Sequence, residues 1–185
     1  MPRFIFTALA ILLSNAASAH ELMDNRLTIV LRDRTHLSFT FYLDTTEVAR
    51  RLLAPAKTSA EFLIVYSAME SDVFARAYDV ARSRFEQSTR VRTSRGDSAP
   101  LKNWIWPTAE TLQASIRDVA MKSIVGSNEH EHSPPTEVRA EAVASSEVAK
   151  LRIKVPAEVD PILVVSYRPK QQWASPKNGD LAVEF

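Results

Sequence analysis

The sequence predicts an α+β fold, with an antiparallel, sandwich-like β-sheet and a central helical insertion. Two observations support this prediction. Apolar and polar residues alternate with a period of two in residues 27–43 and again in residues 138–155, whereas residues 45–125 follow mainly helical spacing. The alternation leaves one face of each strand polar, which is typical of an antiparallel sheet with one face in water.

The N-terminus has the three parts of a secretory signal peptide. Arg3 is followed by a ten-residue apolar run at residues 4–13 and by Ala-Ser-Ala at residues 17–19, a pattern that signal peptidase cleaves. The apolar run is too short to span a bilayer, which takes about 20 residues. We therefore expect residues 1–19 to be a signal peptide and residues 20–185 to be a single periplasmic or secreted domain, with no stable membrane insertion of the mature chain.

The composition argues against several classes of function. The chain has 23 basic and 22 acidic side chains, and removal of Arg3 with the signal peptide would bring the formal charge to zero. Nucleic acids and anionic lipids require clustered positive charge, so we expect neither as a partner. Because the chain has no cysteine, disulfides and thiolate metal sites are excluded. The glycine-rich phosphate loops GxGxxG and GxxxxGK[ST] are also absent.

The first part of the domain, residues 20–44, is predicted to form strands. Leu27, Ile29 and Leu31 alternate with more polar residues, and the same alternation returns over residues 37–43 after a short polar interruption. Two such runs in succession indicate a hairpin.

Residues 45–125 are predicted to be mainly helical with short strands. Asp44 and Thr58 each precede a glutamate by three residues, the capping pattern that begins a helix. Two longer helices follow, and the apolar stripe of the second extends to Ile124. Short strands are expected over residues 90–93 and 101–106, on either side of a glycine-containing turn.

The last third returns to strands. Residues 126–136 are polar, contain two adjacent prolines and are predicted to be an exposed loop. Beyond the loop, residues 137–185 are predicted to be strands, because alternating or continuous short apolar runs recur there. The clearest of these runs lie at residues 151–155, where the apolar positions should be buried, at residues 161–167, where a continuous run is typical of a central strand, and at residues 181–185.

His20, the expected mature N-terminus, is the most specific candidate metal ligand. Its free α-amino nitrogen and its imidazole Nδ1 could hold one metal ion, and another imidazole would complete the T-shaped nitrogen set of histidine-brace copper sites. Nitrogen ligands in a near-planar arrangement suit Cu(II) or Ni(II). The candidate third ligand is His36, on the polar face of the second strand, or one of His130 and His132. The alternative is that signal cleavage merely leaves His20 exposed.

His130 and His132 form a second candidate site. In an extended loop these two side chains point the same way, and Glu129 and Glu131 beside them attract a cation. The alternative is a polar surface loop that contains two histidines. His36 also has a structural alternative, as a strand residue bonded to neighbouring hydroxyls or water.

Trp104 and Trp106 lie on one face of a predicted short strand. Buried, they would belong to the core or to an interface; exposed, they would form a stacking platform for a sugar or a peptide. Trp173 is expected to cover an edge of the sheet.

Several segments together resemble a known layout. The mature start HEL, the paired strands NRLTIVLRD and HLSFTFYLD with the helix that follows, and the later strands LRIKVP and ILVVSYRP resemble the extracytoplasmic N-terminal domain of HupE/UreJ-type permeases. They are also similar to small periplasmic proteins of the same layout and unknown function. The permeases are associated with nickel uptake, so the resemblance implies metal handling. Because no transmembrane segment follows the domain here, we do not expect this chain to transport metal alone.

No catalytic residue is predicted, because GxSxG, HExxH, SxxK and paired-carboxylate signatures are absent. The first hypothesis is an exported binding or accessory domain that binds a divalent metal, copper before nickel or zinc, through its N-terminal histidine. The second is a structural or interaction module of the cell envelope that binds no metal and docks an envelope or inner-membrane protein. The third, a copper oxidative enzyme with an N-terminal histidine, fits poorly with a chain of three glycines.

Overall fold

The computed structural model describes residues 25–125 and 134–169, and it shows helices packed against one face of an open sheet. The predicted α+β class is confirmed. Several sequence predictions lie outside the described residues: the signal peptide, His20, His130, His132, Trp173 and the strand at residues 181–185.

The described part of the chain contains seven strands and four helices. The strands are β1 (Asn25–Leu31), β2 (His36–Leu43), β3 (Arg90–Thr93), β4 (Lys102–Ile105), β5 (Thr136–Val143), β6 (Leu151–Lys154) and β7 (Ile162–Tyr167). The helices are α1 (Thr45–Leu53), α2 (Ser59–Ser67), α3 (Ser71–Ser88) and α4 (Ala109–Val125), and a 3₁₀ turn, Ala157–Val159, precedes β7.

The main sheet has five strands in the order β4-β5-β2-β1-β7. β1 and β2 form the predicted antiparallel hairpin, with Ile29 opposite Phe39. β5 pairs antiparallel with the whole of β2, and β4 pairs antiparallel with β5. β7 is parallel to β1, a direction that the sequence did not predict, since alternation reports which face is wet and not which way a neighbour runs. β3 and β6 form a separate antiparallel pair.

The two short strands predicted on either side of the turn at residues 95–97 are confirmed as β3 and β4, but they do not pair with each other. β3 pairs with β6 and β4 pairs with β5. The two sides of the turn are joined by an isolated bridge between Arg92 and Ser98, with backbone hydrogen bonds from the Thr93 N–H to the Asp97 oxygen and from the Ala99 N–H to the Val91 oxygen. Gly96 has a φ of 92°, the left-handed conformation that glycine adopts without strain.

Within the described residues, the strand at residues 161–167 is not central, contrary to the prediction. β7 lies at the end of the strand order, and its Leu163, Val164 and Val165 are 39–52% exposed. A continuous apolar run is buried only where both faces of the strand are covered, and the described helices do not extend over β7.

The main sheet has a buried face and an open face. The buried face carries large side chains on the two central strands and small ones on β5. Its residues are Leu27, Ile29, Leu37, Phe39, Phe41, Leu43, Val138, Ala140 and Ala142. The open face is mainly polar; the guanidinium of Arg26 lies there, 4.2 Å from the ring centroid of Tyr42 on the neighbouring strand.

A chain of aromatic rings joins the sheet to the helices. Its members are Phe41, Phe85, Trp104, Trp106, Tyr78, Phe74, Tyr66 and Phe62. Phe85 of α3 is its junction, with ring centroids 5.5 Å from Phe41 and 5.2 Å from Trp106, both edge-on. Trp104 and Trp106 are thus core residues, the first of the two alternatives weighed for them.

The helix starts follow the predicted capping patterns. Asp44 Oδ1 accepts a hydrogen bond from the Glu47 N–H at 2.7 Å and begins α1. Thr58 and Glu61 form a complete capping box at the start of α2, so the helix predicted to begin after Thr58 is confirmed and includes residues 62–66.

The apolar stripe of α4 is buried for only part of its length. Leu112 and Ile116 are buried, whereas Ile124 is 78% exposed, contrary to its predicted place in the stripe. α4 has 17 residues and packs on α2, which has nine, so its last turns extend beyond that partner.

The alternation predicted over residues 151–155 is confirmed, but its apolar side chains, expected to be buried, are only partly so. Leu151, Ile153 and Val155 are partly buried against the core, while the charged residues between them are exposed.

Phe85→Ala should lower the free energy of unfolding by about 3–5 kcal/mol, because it removes the junction of the aromatic chain and leaves a cavity. The matched control is Val80→Ala on the same helix, where the side chain is 59% exposed and the change should stay within about 0.5 kcal/mol. Urea denaturation of the two variants measures both. Equal midpoints would show that Phe85 is not a packing junction.

Candidate metal-binding site

His36 is the one predicted metal ligand that lies within the described residues. It is the first residue of β2, on the open face of the sheet, and its Nε2 lies 3.9 Å from Oε1 of Glu141 on β5. Asn103 donates a 3.2 Å hydrogen bond to the other oxygen of Glu141. Among the described residues, neither His36 Nε2 nor the Oγ of Ser38 has a hydrogen-bond partner. The described contacts therefore give His36 one adjacent carboxylate.

The carboxylate of Asp33 orders the turn before His36. Its Oδ1 accepts hydrogen bonds from the backbone N–H groups of Thr35 at 2.7 Å and His36 at 2.8 Å. These two bonds lower the pKa of Asp33 below its ordinary value. Across residues 25–125 and 134–169, no three histidine, cysteine or acidic side chains form a group that could hold a metal ion.

The opposite end of the sheet is organised by the side chain of Asn25. Its Oδ1 accepts a 2.9 Å hydrogen bond from the Asp44 N–H, and its Nδ2 donates to the carbonyl oxygens of Val159 at 3.0 Å and Pro161 at 3.3 Å. Asn25 is buried, with 8% of its surface exposed. One amide therefore connects the start of β1, the start of α1 and the start of β7.

Thr45 connects the start of β5 to the same place. Its Oγ1 donates to the Pro134 carbonyl oxygen at 3.1 Å and lies 2.7 Å from the Thr136 Oγ1. Because the single hydroxyl proton of Thr45 is used for Pro134, Thr136 donates in the second contact. We call Asn25, Asp44, Thr45, Pro134 and Thr136 the Asn25 corner.

The Asn25 corner lies far from His36. His36 and the corner are at opposite ends of β2, whose eight residues span about 24 Å at the usual rise per residue. His20 precedes Asn25 by five residues, and His132 precedes Pro134 by two. The segments that carry His20 and the loop histidines therefore join the described structure at one end of the sheet, and His36 lies at the other.

The carboxylate of Glu47 is held by two arginines beside the corner. Glu47 Oε1 lies 2.7 Å from Arg50 Nη2 and 2.7 Å from Arg51 Nε. Arg51 also donates to the Asp160 carbonyl oxygen at 2.6 Å, which connects α1 to the segment before β7. The hydrogen bond from Arg50, followed by that from Arg51, outweighs partial burial and lowers the pKa of Glu47 from 4.5 to about 2.

Neither of two cavities in the described structure suits a metabolite. One lies between α1, α3, α4 and the end of β2, has a volume of about 30 Å³ and is lined mainly by apolar side chains such as Val48, Leu52 and Leu112. Pockets for small ligands usually measure about 300–1,000 Å³. A larger, open depression of about 400 Å³ is lined, among the described residues, only by α3, so no other described element forms an opposing wall.

Sequence reasoning missed the residues that build the corner. The spacing of Glu47 with Arg50 and Arg51 is a readable helical ion-pair pattern and could have been noticed. Asn25 gives no comparable signal, because its partners at residues 44, 159 and 161 are brought to it only by the fold.

Comparisons with protein-family models, with curated proteins and with solved structures give no match for this chain. Within the described ranges, no helix is both long enough and apolar enough to cross a membrane.

Glu47→Gln should lower the free energy of unfolding by about 1 kcal/mol at pH 7, because both arginines lose a partly exposed ionic partner. The folded-state pKa of Glu47 lies below its ordinary value, so its contribution is present above pH 4.5 and is lost as the pH falls towards about 2. The difference between the variant and the native protein should therefore shrink over that interval.

Urea denaturation between pH 7 and pH 2.5 measures this difference. The matched control is Glu147→Gln, since Glu147 is an exposed glutamate at some distance from the corner in sequence. A loss of stability that is the same at every pH would contradict the assigned role of the Glu47 carboxylate.

Proposed function

We propose that the protein is an exported periplasmic accessory domain that binds a divalent metal, copper in preference to nickel or zinc, through His20. The α-amino and imidazole nitrogens of His20 provide two ligands, and an imidazole from the segment with His130 and His132 provides a third. Three nitrogen ligands in this arrangement suit Cu(II). The resemblance of the strand regions to the extracytoplasmic domain of HupE/UreJ-type permeases is a second reason to propose metal handling.

The observation that supports this proposal is the hydrogen bonding of the Asn25 corner. Asn25 bonds to Asp44, and Pro134 bonds to the adjacent Thr45. Asn25, which follows the segment with His20, and Pro134, which follows the segment with His130 and His132, therefore lie about two strand spacings, or roughly 10 Å, apart. Each residue of extended chain spans up to about 3.5 Å. The loop histidines precede Pro134 by two and four positions and His20 precedes Asn25 by five, so extended segments of these lengths are long enough for the ligands to meet.

His36 is a less favourable third ligand on the same reasoning. A chain of five residues extends at most about 18 Å, whereas His36 is about 24 Å from the corner along β2. Even a fully extended segment along the sheet would leave the His20 backbone roughly 6 Å short of His36. His36 therefore serves as the comparison residue in the binding experiment below.

A second candidate function is an interaction module of the cell envelope that binds no metal. It is favoured by the last turns of α4, where Met121, Ile124 and Val125 are 61–78% exposed. An apolar helix end of this kind is suited to docking on an envelope or inner-membrane protein.

The exported protein should begin at His20, because the Ala-Ser-Ala pattern at residues 17–19 lies directly behind an apolar core. Intact-mass analysis after expression with export should show the loss of residues 1–19. Retention of these residues in the exported protein would contradict both the cleavage site and the use of His20 as a metal ligand.

Copper binding should depend on a free amino group at His20. A protein with one extra methionine before His20 should bind Cu(II) more weakly by orders of magnitude, because the amine becomes an amide. Binding by the native protein should weaken below about pH 6, where protons compete for the imidazoles. Isothermal titration calorimetry on both proteins measures these effects.

Two further variants identify the third ligand. His130→Ala combined with His132→Ala should weaken Cu(II) binding, and His36→Ala, the matched control, should leave it unchanged. Equal affinity of the native and methionine-extended proteins would contradict the His20 site. If no variant and no native protein binds copper saturably, the envelope interaction module is the better function.

A further inference from the structure

β7 has an unpaired edge within the described structure. One side of the strand pairs with β1, and no described strand pairs with the other side. Within the described ranges, the backbone N–H and C=O groups on that side have no strand partner, and such groups can pair with another strand. An exposed apolar edge of this kind favours aggregation unless something covers it.

The open face of β7 carries three apolar side chains at alternate positions. Leu163, Val165 and Tyr167 are 39–53% exposed and lie opposite Arg26, Thr28 and Val30 of β1. The neighbouring strand can therefore cover only one side of this apolar row. A strand added at the free edge would contact the other side, and each cross-strand apolar pair would contribute roughly 0.2–1 kcal/mol.

We propose that residues 181–185 of this chain form that strand and pair antiparallel with β7. Leu181, Val183 and Phe185 repeat the alternate apolar spacing of Leu163, Val165 and Tyr167. The two sets match in number and in period, so one register places all three pairs on the open face.

The intervening residues have the composition of a reversing connection. Residues 168–180 include Pro176 and an Asn178-Gly179 pair, which are typical of turns. A connection with no crossover helix that joins two neighbouring strands makes them antiparallel. The polar residues at 170–172 and 177–180 suit a segment at the surface.

A second copy of the chain is a less suitable occupant of the same edge. β7 has six residues, and so short an edge supplies little of the roughly 1,200 Å² that specific interfaces between proteins bury. A strand tethered to β7 through residues 168–180 is held near the edge at high effective concentration. Its pairing therefore avoids the loss of translational and rotational freedom that the association of two separate chains requires.

Disulfide trapping tests the pairing, since the chain has no native cysteine. Val183→Cys is combined in turn with Leu163→Cys, Val165→Cys and Tyr167→Cys in the full chain. Residues directly opposite each other in antiparallel strands have Cβ atoms about 4.5–5.5 Å apart, close enough for a disulfide after a small adjustment. We expect one of the three combinations to form an intramolecular disulfide under mild oxidation, detected by mass spectrometry under non-reducing conditions.

Glu184→Cys, combined with the same three substitutions, is the matched control. Its side chain would point to the other face, so it should form no disulfide with these positions. Intramolecular disulfides at equal yield from residues 183 and 184 would overturn the proposal, as would none from either. Disulfides found only between two chains would overturn it in favour of a second copy.

Hydrogen exchange in the full chain gives an independent readout. Val183→Asp should place a charge in the apolar row and speed exchange of the β7 amides at least tenfold, whereas Glu184→Asp should leave it unchanged. Identical exchange in both variants and in the native protein would also overturn the proposal. Neither readout depends on copper, so this inference and the metal-binding function fail separately.

Discussion

The buried side-chain amide of Asn25 fixes the positions of three elements at once. It is satisfied on both sides, since its oxygen accepts from Asp44 and its nitrogen donates to Val159 and Pro161. An apolar residue in its place would leave a backbone N–H and two carbonyl groups without their partner, and each unsatisfied buried group costs about 1–3 kcal/mol. The Asn25 hydrogen bonds therefore fix the relative positions of the starts of β1, α1 and β7, which the period-two pattern of the strands alone does not fix.

The same corner positions other groups but supplies few metal ligands itself. The carboxylate of Asp44 caps α1, and the carboxylate of Glu47 is held by Arg50 and Arg51. A metal ion there would have to compete with these bonds for oxygen ligands. The proposed site takes nitrogen ligands from the segments that adjoin the corner, and nitrogen ligands suit copper better than harder cations.

The sequence predicted what depends on local pattern. The hairpin of β1 and β2, the caps at Asp44 and Thr58, and the alternation in β6 each follow from neighbouring residues. The edge position of β7 and its parallel pairing with β1 could not be read, because an apolar run carries no information about which strand lies beside it.

The candidate site was predicted only in part, because the sequence does not show which strands lie side by side. The chemistry of the histidines is visible in the sequence, whereas the distance from His36 to the segments that carry the others depends on strand order. The prediction that Ile124 lies in the buried stripe of α4 was wrong, because the apolar period of α4 continues past the point where α2 ends.

The parallel pairing of β1 with β7 also has a consequence for folding kinetics. Asn25 pairs with Ile162, and nearly all of the described chain lies between them. Contacts of such high sequence separation raise the contact order, and the loop-closure entropy they cost slows the folding of a domain. The hairpin can form as soon as residue 43 is available, but the Asn25 amide stays unsatisfied until residues 159–161 arrive. A chain that crosses a membrane from its N-terminus would therefore remain incompletely folded until most of its length has emerged.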